Sequence, residues 1–402
     1  MMNCLIIGKV WPEPTSTAAG RRTYDVITAL QLGCWQVHFA SAAQRGEHAL
    51  DLEATGVTTH EITVNDVAFD SWVEVLAPQV VIFDRFMTEE QFGWRVAQHC
   101  PEALRVLDTS DLHCLRLARE RVIKSGEALD LRNETSLREI AAIYRSDLSL
   151  MISEFEMEIL VDEFGINESL LAYWPFSLEL SDERVLFGNR KDFILIGSFL
   201  HPPNLDAARW CKAEIWPLIR QQLPEAELHC YGSYGERYAA ELHAPKSGFF
   251  FKGRAEDALA TMSLYRVNLA PLRYGAGLKG KVFDGFQTGT PTVMTPIAIE
   301  GISTNLEWAH AAAEDFANAA FQLYKEPDAW HIRQCEERSL CQDRFNSADW
   351  LPRLAAIIHC AIDEKVQRRE QNFIGKMLSH HQHRSTEFMS RWIEHKNKSH
   401  ER

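Results

Sequence analysis

The 402-residue chain lacks a long hydrophobic run, a surplus of positive charge and an ordered cysteine pattern. No stretch approaches the roughly 20 consecutive apolar residues that a membrane-spanning helix needs, so membrane contact is expected to be peripheral at most. The formal net charge is −14. General affinity for nucleic acid or for an anionic membrane needs a positive field, which this balance does not supply. Any site for an anion must therefore be local.

The nine cysteines are odd in number and form no C-x-x-C pair or metal-ligand spacing with histidine. Reduced thiols in the core and the absence of a bound metal are therefore expected. The apolar run Cys4 to Ile7 is too short for a signal peptide and leads into a polar stretch. We expect it to be a first strand, in a cytoplasmic protein.

Short apolar runs alternate with longer amphipathic ones along the first half of the chain. The runs that predict strands are Cys4 to Ile7, Gln36 to Ala40, Val80 to Phe83 and Leu104 to Leu107, with a helix over Tyr24 to Leu32. Alternation of strand and helix is typical of parallel strands joined by crossover helices. The sequence therefore predicts an α/β fold with a doubly wound sheet in the first half.

A second series with the same rhythm follows the connector Pro175 to Asn189. It predicts strands at Phe193 to Ile196, Glu227 to Tyr231, Phe249 to Lys252, Asn268 to Pro271 and Thr292 to Thr295, with helices at Leu205 to Gln221, Arg237 to His243, Glu256 to Tyr265 and Lys279 to Gln287. We expect two Rossmann-like domains, residues 1–175 and 190–360, that face each other across a cleft, and ligands gather at the carboxyl ends of such strands.

The final segment, residues 361–402, is predicted to be a helical and mildly basic tail. Phe388, Met389, Trp392 and Ile393 recur at helical spacing and predict an apolar stripe that packs back onto the N-terminal domain. Peripheral membrane contact is the alternative. The cluster His380, His381 and His383 lacks a fourth ligand at a sensible spacing, so we expect a solvated face and no metal.

The most informative segment is 267–295, where a buried strand runs into a turn with Gly275, Gly277 and Gly280 and then into a helix. Glycines let the backbone approach a ligand closely, and the amides at a helix start favour phosphate. Three cations surround this turn and one carboxylate follows a helical turn later: Arg273, Lys279, Lys281 and Asp284. The pattern predicts a diphosphate site with a ribose contact, although a tight strand–helix connection with solvated lysines would show the same residues.

The whole string resembles the donor-nucleotide motif of retaining GT-B glycosyltransferases of family four, in the branch with Pro-Leu-Arg-x-Gly-x-Gly. The matching residues are Pro271, Leu272, Arg273, Gly275, Gly277, Lys281, Gly289 and Pro291, followed by Ala298-Ile-Glu-Gly-Ile302. The family commonly has two glutamates seven residues apart. Here Ala276 stands at the first position and Asp284 at the second, and Asp in place of Glu shortens the reach to the ribose by one methylene.

The resemblance extends upstream to Ile196-Gly-Ser-Phe-Leu-His-Pro-Pro-Asn204, which is similar to the first loop of the donor domain. Gly197 and Ser198 offer small backbone donors at a strand end, and Asn204 is a plausible N-cap. His201 could meet donor phosphates or simply lie in the loop. The resemblance implies a donor site made of Gly197, Ser198, Asn204, Arg273, Gly275, Gly277, Leu278, Lys279, Lys281 and Asp284.

In the N-terminal half, Asp108 to His113 resembles the Asp-x-His loop that contacts the donor sugar in this family. His113 is thus a candidate catalytic residue together with Arg273 and Lys281, and a structural histidine is the alternative. Gly20 fits a small-residue loop through which the acceptor approaches, although a generic turn also fits. Asp84 and Arg85 are expected to face the cleft on the acceptor side, and an internal ion pair would explain them equally well.

The resemblance implies an enzyme whose N-terminal domain binds a carbohydrate or glycoconjugate acceptor and whose C-terminal domain binds a nucleotide sugar. Retention of anomeric configuration, no metal and no separate cofactor are expected, and surface polysaccharide or glycoconjugate synthesis is a fitting role. A nucleotide-sugar epimerase of the same fold and a non-catalytic nucleotide-sugar-binding module are the alternatives.

Overall fold

The computed structural model describes residues 2–180 and 186–400, apart from the side chains of 382–384 and 397–400. The side chain of His383 and part of the predicted connector therefore lie outside the described residues. Within the described residues, no helix is both long enough and apolar enough to cross a membrane.

The first domain is a parallel sheet of seven strands in the order β3-β2-β1-β4-β5-β6-β7. The strands are β1 (Met2–Gly8), β2 (Trp35–Ser41), β3 (Thr58–Glu61), β4 (Val80–Asp84), β5 (Leu104–Thr109), β6 (Leu148–Met151) and β7 (Leu171–Tyr173). The crossover helices are α1 (Ala18–Leu32), α2 (Ala68–Leu76), α3 (Phe86–His99), α4 (His113–Ser125), α5 (Glu134–Arg145) and α6 (Glu154–Phe164).

The second domain is a parallel sheet of five strands in the order β10-β9-β8-β11-β12. Its strands are β8 (Lys191–Ile196), β9 (Leu228–Tyr231), β10 (Phe249–Gly253), β11 (Tyr265–Ala270) and β12 (Thr292–Met294). Its helices are α7 (Pro202–Trp210), α8 (Trp216–Gln222), α9 (Ala239–Leu242), α10 (Ala258–Met262), α11 (Gly280–Thr288), α12 (Pro296–Ile299), α13 (Ala313–Lys325) and α14 (Pro327–Arg344).

The central strands are buried on both faces because helices cover both sides of each sheet, which is why they read as continuous apolar runs. Leu5 and Ile7 of β1 belong to one core cluster, whereas Cys4 and Ile6 belong to another on the opposite face. The prediction of two doubly wound parallel domains is confirmed.

The last three helices are α15 (Ser347–Asp363), α16 (Lys365–Gln371) and α17 (Phe373–His400). Leu354 and Ile358 of α15 pack into the first domain's core. The chain therefore returns to the first domain at Ser347, before the predicted tail boundary at 361.

α17 packs against α3 and α5 of the first domain. Ser390 is 2% exposed, and its hydroxyl accepts from Arg95 Nη2 at 3.0 Å and donates to Asn65 Oδ1 at 2.8 Å. Phe388 and Trp392 are 67% and 59% exposed. The expectation that the apolar stripe forms the docking face is therefore wrong, because buried polar partners hold the helix by its other side.

Candidate functional site

A cavity of about 1000 Å³ lies between the domains, where the carboxyl ends of both sheets meet. The first domain lines it with residues that follow β1, β4 and β5, and the second domain with residues that follow β8, β9 and β11. Parallel strands bring loops that are distant in sequence to one edge, so such a cleft is the usual place for a ligand.

The turn between β11 and α11 forms one wall of this cavity, as the sequence predicts for a ligand site. Gly275, Leu278, Lys279, Lys281 and Asp284 all line it. Lys279 is the residue before the first turn of α11, and the free amides of that turn give the helix start a partial positive charge. The wall is thus suited to an anion.

Gly277 lies where this turn passes close to the first domain. Its φ is +65°, and a Cβ there would stand 2.7 Å from the Ser110 carbonyl oxygen. A side chain would therefore both strain the turn and push the domains apart.

Lys281 is buried at the centre of the second-domain wall. Its Nζ donates to Asn204 Oδ1 at 2.7 Å, and Asn204 Nδ2 donates to the Ser198 carbonyl oxygen at 2.8 Å. A Cβ on Gly197 would lie 2.8 Å from the Asn204 amide and 3.1 Å from Lys281 Nζ. Burial lowers the Lys281 pKa to about 8. Asn204 thus positions the cation, and the expectation that it caps a helix is wrong, because α7 begins at Pro202.

The Ser198 hydroxyl lines the same wall and has no hydrogen-bond partner among the described residues. A buried hydroxyl without a partner costs free energy unless a ligand or water meets it. The Ser198 hydroxyl lies near Lys281 and is therefore available to form a hydrogen bond with a ligand in the cleft.

Lys279 is tied into a contact between the domains. Its Nζ donates to the Gly277 carbonyl oxygen at 2.6 Å and lies 3.9 Å from Glu300 Oε1. Burial lowers its pKa. Arg119 of α4 forms two hydrogen bonds with Glu300, at 2.8 and 2.6 Å, and a third with the Gly275 carbonyl oxygen at 2.8 Å. The first domain therefore holds the glycine turn in place.

Glu156 of α6 is a second such contact and is fully buried. Its Oε1 accepts from the Gly277 amide at 2.6 Å and from the Leu112 amide at 3.1 Å. Burial, together with the nearby Asp111 charge, raises its pKa to about 7. No local sequence pattern shows that this residue reaches the other domain.

Asp284 faces the first domain as well. Its carboxylate pairs with Arg21 of α1 at 3.1 Å, and Arg21 also donates to Gln287 Oε1 at 2.8 Å. Burial raises the pKa of Asp284 to about 6, although Arg21 and Lys281 oppose that shift. A carboxylate at this point of the cavity could hold a ribose diol if Arg21 leaves one carboxylate oxygen free or moves away from Asp284.

Arg273 is not brought into the cavity. Its guanidinium pairs with Asp206 of α7 and lies 5.9 Å from the centre of the Trp210 ring. That pairing occupies the guanidinium, and Arg273 is not among the residues that line the cavity. The predicted phosphate contact therefore finds no support in the geometry.

His113 is the first residue of α4 and lines the cavity from the first domain. Its Nε2 lies 3.2 Å from Asp111 Oδ1, and Arg116 Nε donates to Asp111 Oδ2 at 2.7 Å. Burial alone would raise the pKa of Asp111, but His113 and Arg116 hold it well below its usual range. An ionised Asp111 therefore fixes the orientation of the His113 ring.

His201 meets this group from the second domain, where it also lines the cavity. Burial lowers its pKa to about 4, and the nearby Arg116 and Lys281 charges add to the effect. A neutral imidazole at neutral pH can accept as well as donate a hydrogen bond. The sequence allowed two roles for His201, a contact with the donor phosphates or a position in the loop without a ligand contact.

Arg85 lines the cavity in a strained backbone conformation, with φ +69°. Its guanidinium makes two hydrogen bonds to Asp84, at 2.9 and 2.8 Å. The internal ion pair is therefore real, and the same arginine also faces the cleft. Asp84 and Gly20 lie behind the wall, and a Cβ on Gly20 would meet the Glu13 backbone at 2.5 Å.

No group of three or more His, Cys, Asp or Glu side chains within the described residues could hold a metal ion. His380 and His381 are neighbours on α17, with ring centres 4.8 Å apart.

Residues 190–326 match a family model described as "Glycosyl transferases group 1". This stretch runs from β8 to α13 and includes the whole second-domain wall of the cavity. No curated protein matches the chain in sequence.

Several solved structures are similar over nearly the whole chain. HepE from Anabaena, in complex with UDP and glucose, is 13% identical with a TM-score of 0.69 over 90% of this chain and 100% of that one. Sucrose-phosphate synthase from Thermosynechococcus elongatus is 13% identical, with a TM-score of 0.63 over 89% and 98%. WaaG, a glycosyltransferase involved in lipopolysaccharide biosynthesis, is 12% identical, with a TM-score of 0.62 over 89% and 99%. Identities this low show the fold alone, which is GT-B.

Proposed function

We propose that the protein is a nucleotide-sugar-dependent glycosyltransferase, since its second domain matches the glycosyl transferases group 1 family model and the whole chain has the GT-B fold. We propose that Lys281, Lys279 and the start of α11 bind the diphosphate of the donor, and that the sugar moves to an acceptor held by the first domain. Buried Lys281 in the cleft carries this proposal, because its hydrogen-bond partner Asn204 is neutral and a buried ammonium is stabilised when an anion meets it.

In this proposal the departing nucleoside diphosphate is stabilised by Lys281 and by the amides at the start of α11. Those groups do the work that a divalent cation does in other transferases, so we expect transfer without added metal. Asp284 would hold the ribose, and Ser198 would bond the phosphates. His113, fixed by Asp111, would face the transferred sugar from the other domain.

We further propose retention of anomeric configuration, which follows from the family resemblance of segment 267–295. HepE was crystallised with UDP and glucose, and WaaG acts in lipopolysaccharide biosynthesis. UDP-glucose is therefore the first donor to test, and a carbohydrate acceptor of a surface polysaccharide or glycoconjugate fits the same class.

The test is incubation of the full chain with UDP-glucose, other UDP-sugars and GDP-sugars, with and without a chelator, while released diphosphate is measured. Release that depends on an acceptor, survives chelation and is lost in Lys281→Ala supports the proposal. The anomeric configuration of the product, read by NMR, decides retention. A new donor epimer without release would identify an epimerase, and binding without turnover would identify a non-catalytic module.

A further inference from the structure

The outward face of α17 is an unusual surface for a strongly acidic protein. Phe373, Met377, Phe388 and Trp392 follow one another at intervals that are close to whole helical turns, so they share one face. Their exposed fractions are 73%, 46%, 67% and 59%. These side chains form an apolar strip that is interrupted between Met377 and Phe388, and no described residue covers it.

This strip is not the face by which α17 packs on the protein, because the helix is docked on the first domain by its opposite side. Arg95 is 1% exposed and binds Ser390 and Glu394 together. Near the start of the helix, Asn372 Nδ2 donates to the Tyr144 carbonyl oxygen at 2.7 Å, and Gly375 packs closely on the same carbonyl. The strip therefore faces outward in the folded protein.

The charge on this helix is opposite to that of the chain. Residues 373–400 contain five Lys or Arg and two Glu, whereas the whole chain carries −14. Both carboxylates are paired, Glu394 with Arg95 and Glu387 with Arg391 at 2.6 Å. Lys396 lies 5.4 Å from the centre of the Trp392 ring, at the edge of the strip.

We propose that this face, defined by Phe373, Met377, Phe388 and Trp392, binds the surface of an anionic lipid bilayer. The helix would lie along the interface with its aromatic side chains at the level of the headgroups. Lys396, at the edge of the strip, would extend its ammonium toward the lipid phosphates. The assignment is independent of the sugar donor and of the cleft.

A second copy of the chain fits this face less well. Two copies of α17 would bring their cations opposite each other, and like charges across an interface oppose association. An anionic bilayer supplies both an apolar layer and the opposite charge. The combination of exposed aromatic side chains and a net positive charge on the helix therefore favours lipid.

The experiment is vesicle flotation of the full chain with the double variant Phe388→Ser/Trp392→Ser. The two vesicle types are pure phosphatidylcholine and phosphatidylcholine mixed with phosphatidylglycerol. Because both replaced side chains are mostly exposed, the melting temperature should not change. Matched controls are Val75→Ser and Leu306→Ser, whose side chains are 88% and 72% exposed elsewhere on the molecule.

We expect wild type and both controls to float with phosphatidylglycerol vesicles, and the double variant to lose about tenfold or more of that binding. Binding should weaken when salt shortens the Debye length from about 10 Å to about 3 Å. Failure of the wild-type chain to float, or equal flotation of the double variant, would overturn the proposal. A wild-type dimer that this variant dissociates, with no lipid binding, would identify a contact between copies instead.

Discussion

Both walls of the cleft collect their groups from the ends of several strands, but the cations on the two walls have different partners. On the second-domain side, Lys281 is a buried cation with a neutral partner. On the first-domain side, Arg85 and Arg116 each stand beside a carboxylate.

This difference separates two kinds of chemistry. A cation with a neutral partner keeps its charge available for a ligand, whereas an arginine already paired with a carboxylate mainly orients its neighbours. We therefore expect substitutions on the second-domain wall to change nucleotide affinity, and substitutions on the first-domain wall to change transfer.

The largest effect should come from Lys281→Ala. Hydrogen bonds to charged groups contribute roughly 1.5–3 kcal/mol, so calorimetry should show UDP affinity falling by about ten- to a hundredfold, with a matching loss of turnover. Lys252→Ala, an exposed cation on β10, is the control and should bind as wild type. Unchanged UDP affinity in Lys281→Ala would remove this lysine from the donor site.

His113→Ala should show that the first-domain wall serves transfer and not nucleotide binding. We expect the transfer rate to fall by at least about tenfold while UDP affinity changes by less than about twofold, because the nucleotide is held by the other domain. Initial rates at saturating donor and calorimetry with UDP measure the two quantities. An equal loss of both would mark His113 as structural.

The features that the sequence could predict are those built from local patterns, and the contacts between distant residues are those it could not predict. The two sheets and the turn with Gly275 and Gly277 are legible because apolar runs and glycine spacing are local patterns. The predicted helix Glu256 to Tyr265 is too long, since Tyr265 already begins β11. A buried tyrosine at a strand start carries no local signal that distinguishes it from a helix end.

The contacts between domains could not be predicted, because they join residues more than a hundred positions apart. Glu156 reaches Gly277, and Arg119 reaches Glu300. Arg273 is a residue for which the local motif misleads. The motif indicates that Arg273 binds phosphate, whereas in the structure its guanidinium pairs with Asp206. A sequence pattern shows which charges are present, and only the fold shows which anion each one meets.

The pH dependence of UDP binding should report the Lys281 charge. Burial lowers the pKa of Lys281 to about 8, and a bound diphosphate would raise it by stabilising the ammonium. Affinity should therefore begin to fall as the pH approaches 8 and should drop by about three- to tenfold between pH 7 and 9. The same titration with Lys281→Ala should lose this fall, and a fall that persists there would assign it to another group.

The smallest effect should come from Arg21→Ala, which tests whether Asp284 binds a ribose. Arg21 and Asp284 are each about one-fifth exposed at the side chain, and pairs at that exposure contribute roughly 0.2–1 kcal/mol. Removing Arg21 would free the carboxylate for a diol, so UDP affinity should rise by about two- to fivefold. Pyrophosphate has no ribose and provides the matched ligand, whose affinity should stay the same or fall slightly as a cation is lost. If UDP and pyrophosphate weaken together, Arg21 itself serves the phosphates and Asp284 does not hold the ribose.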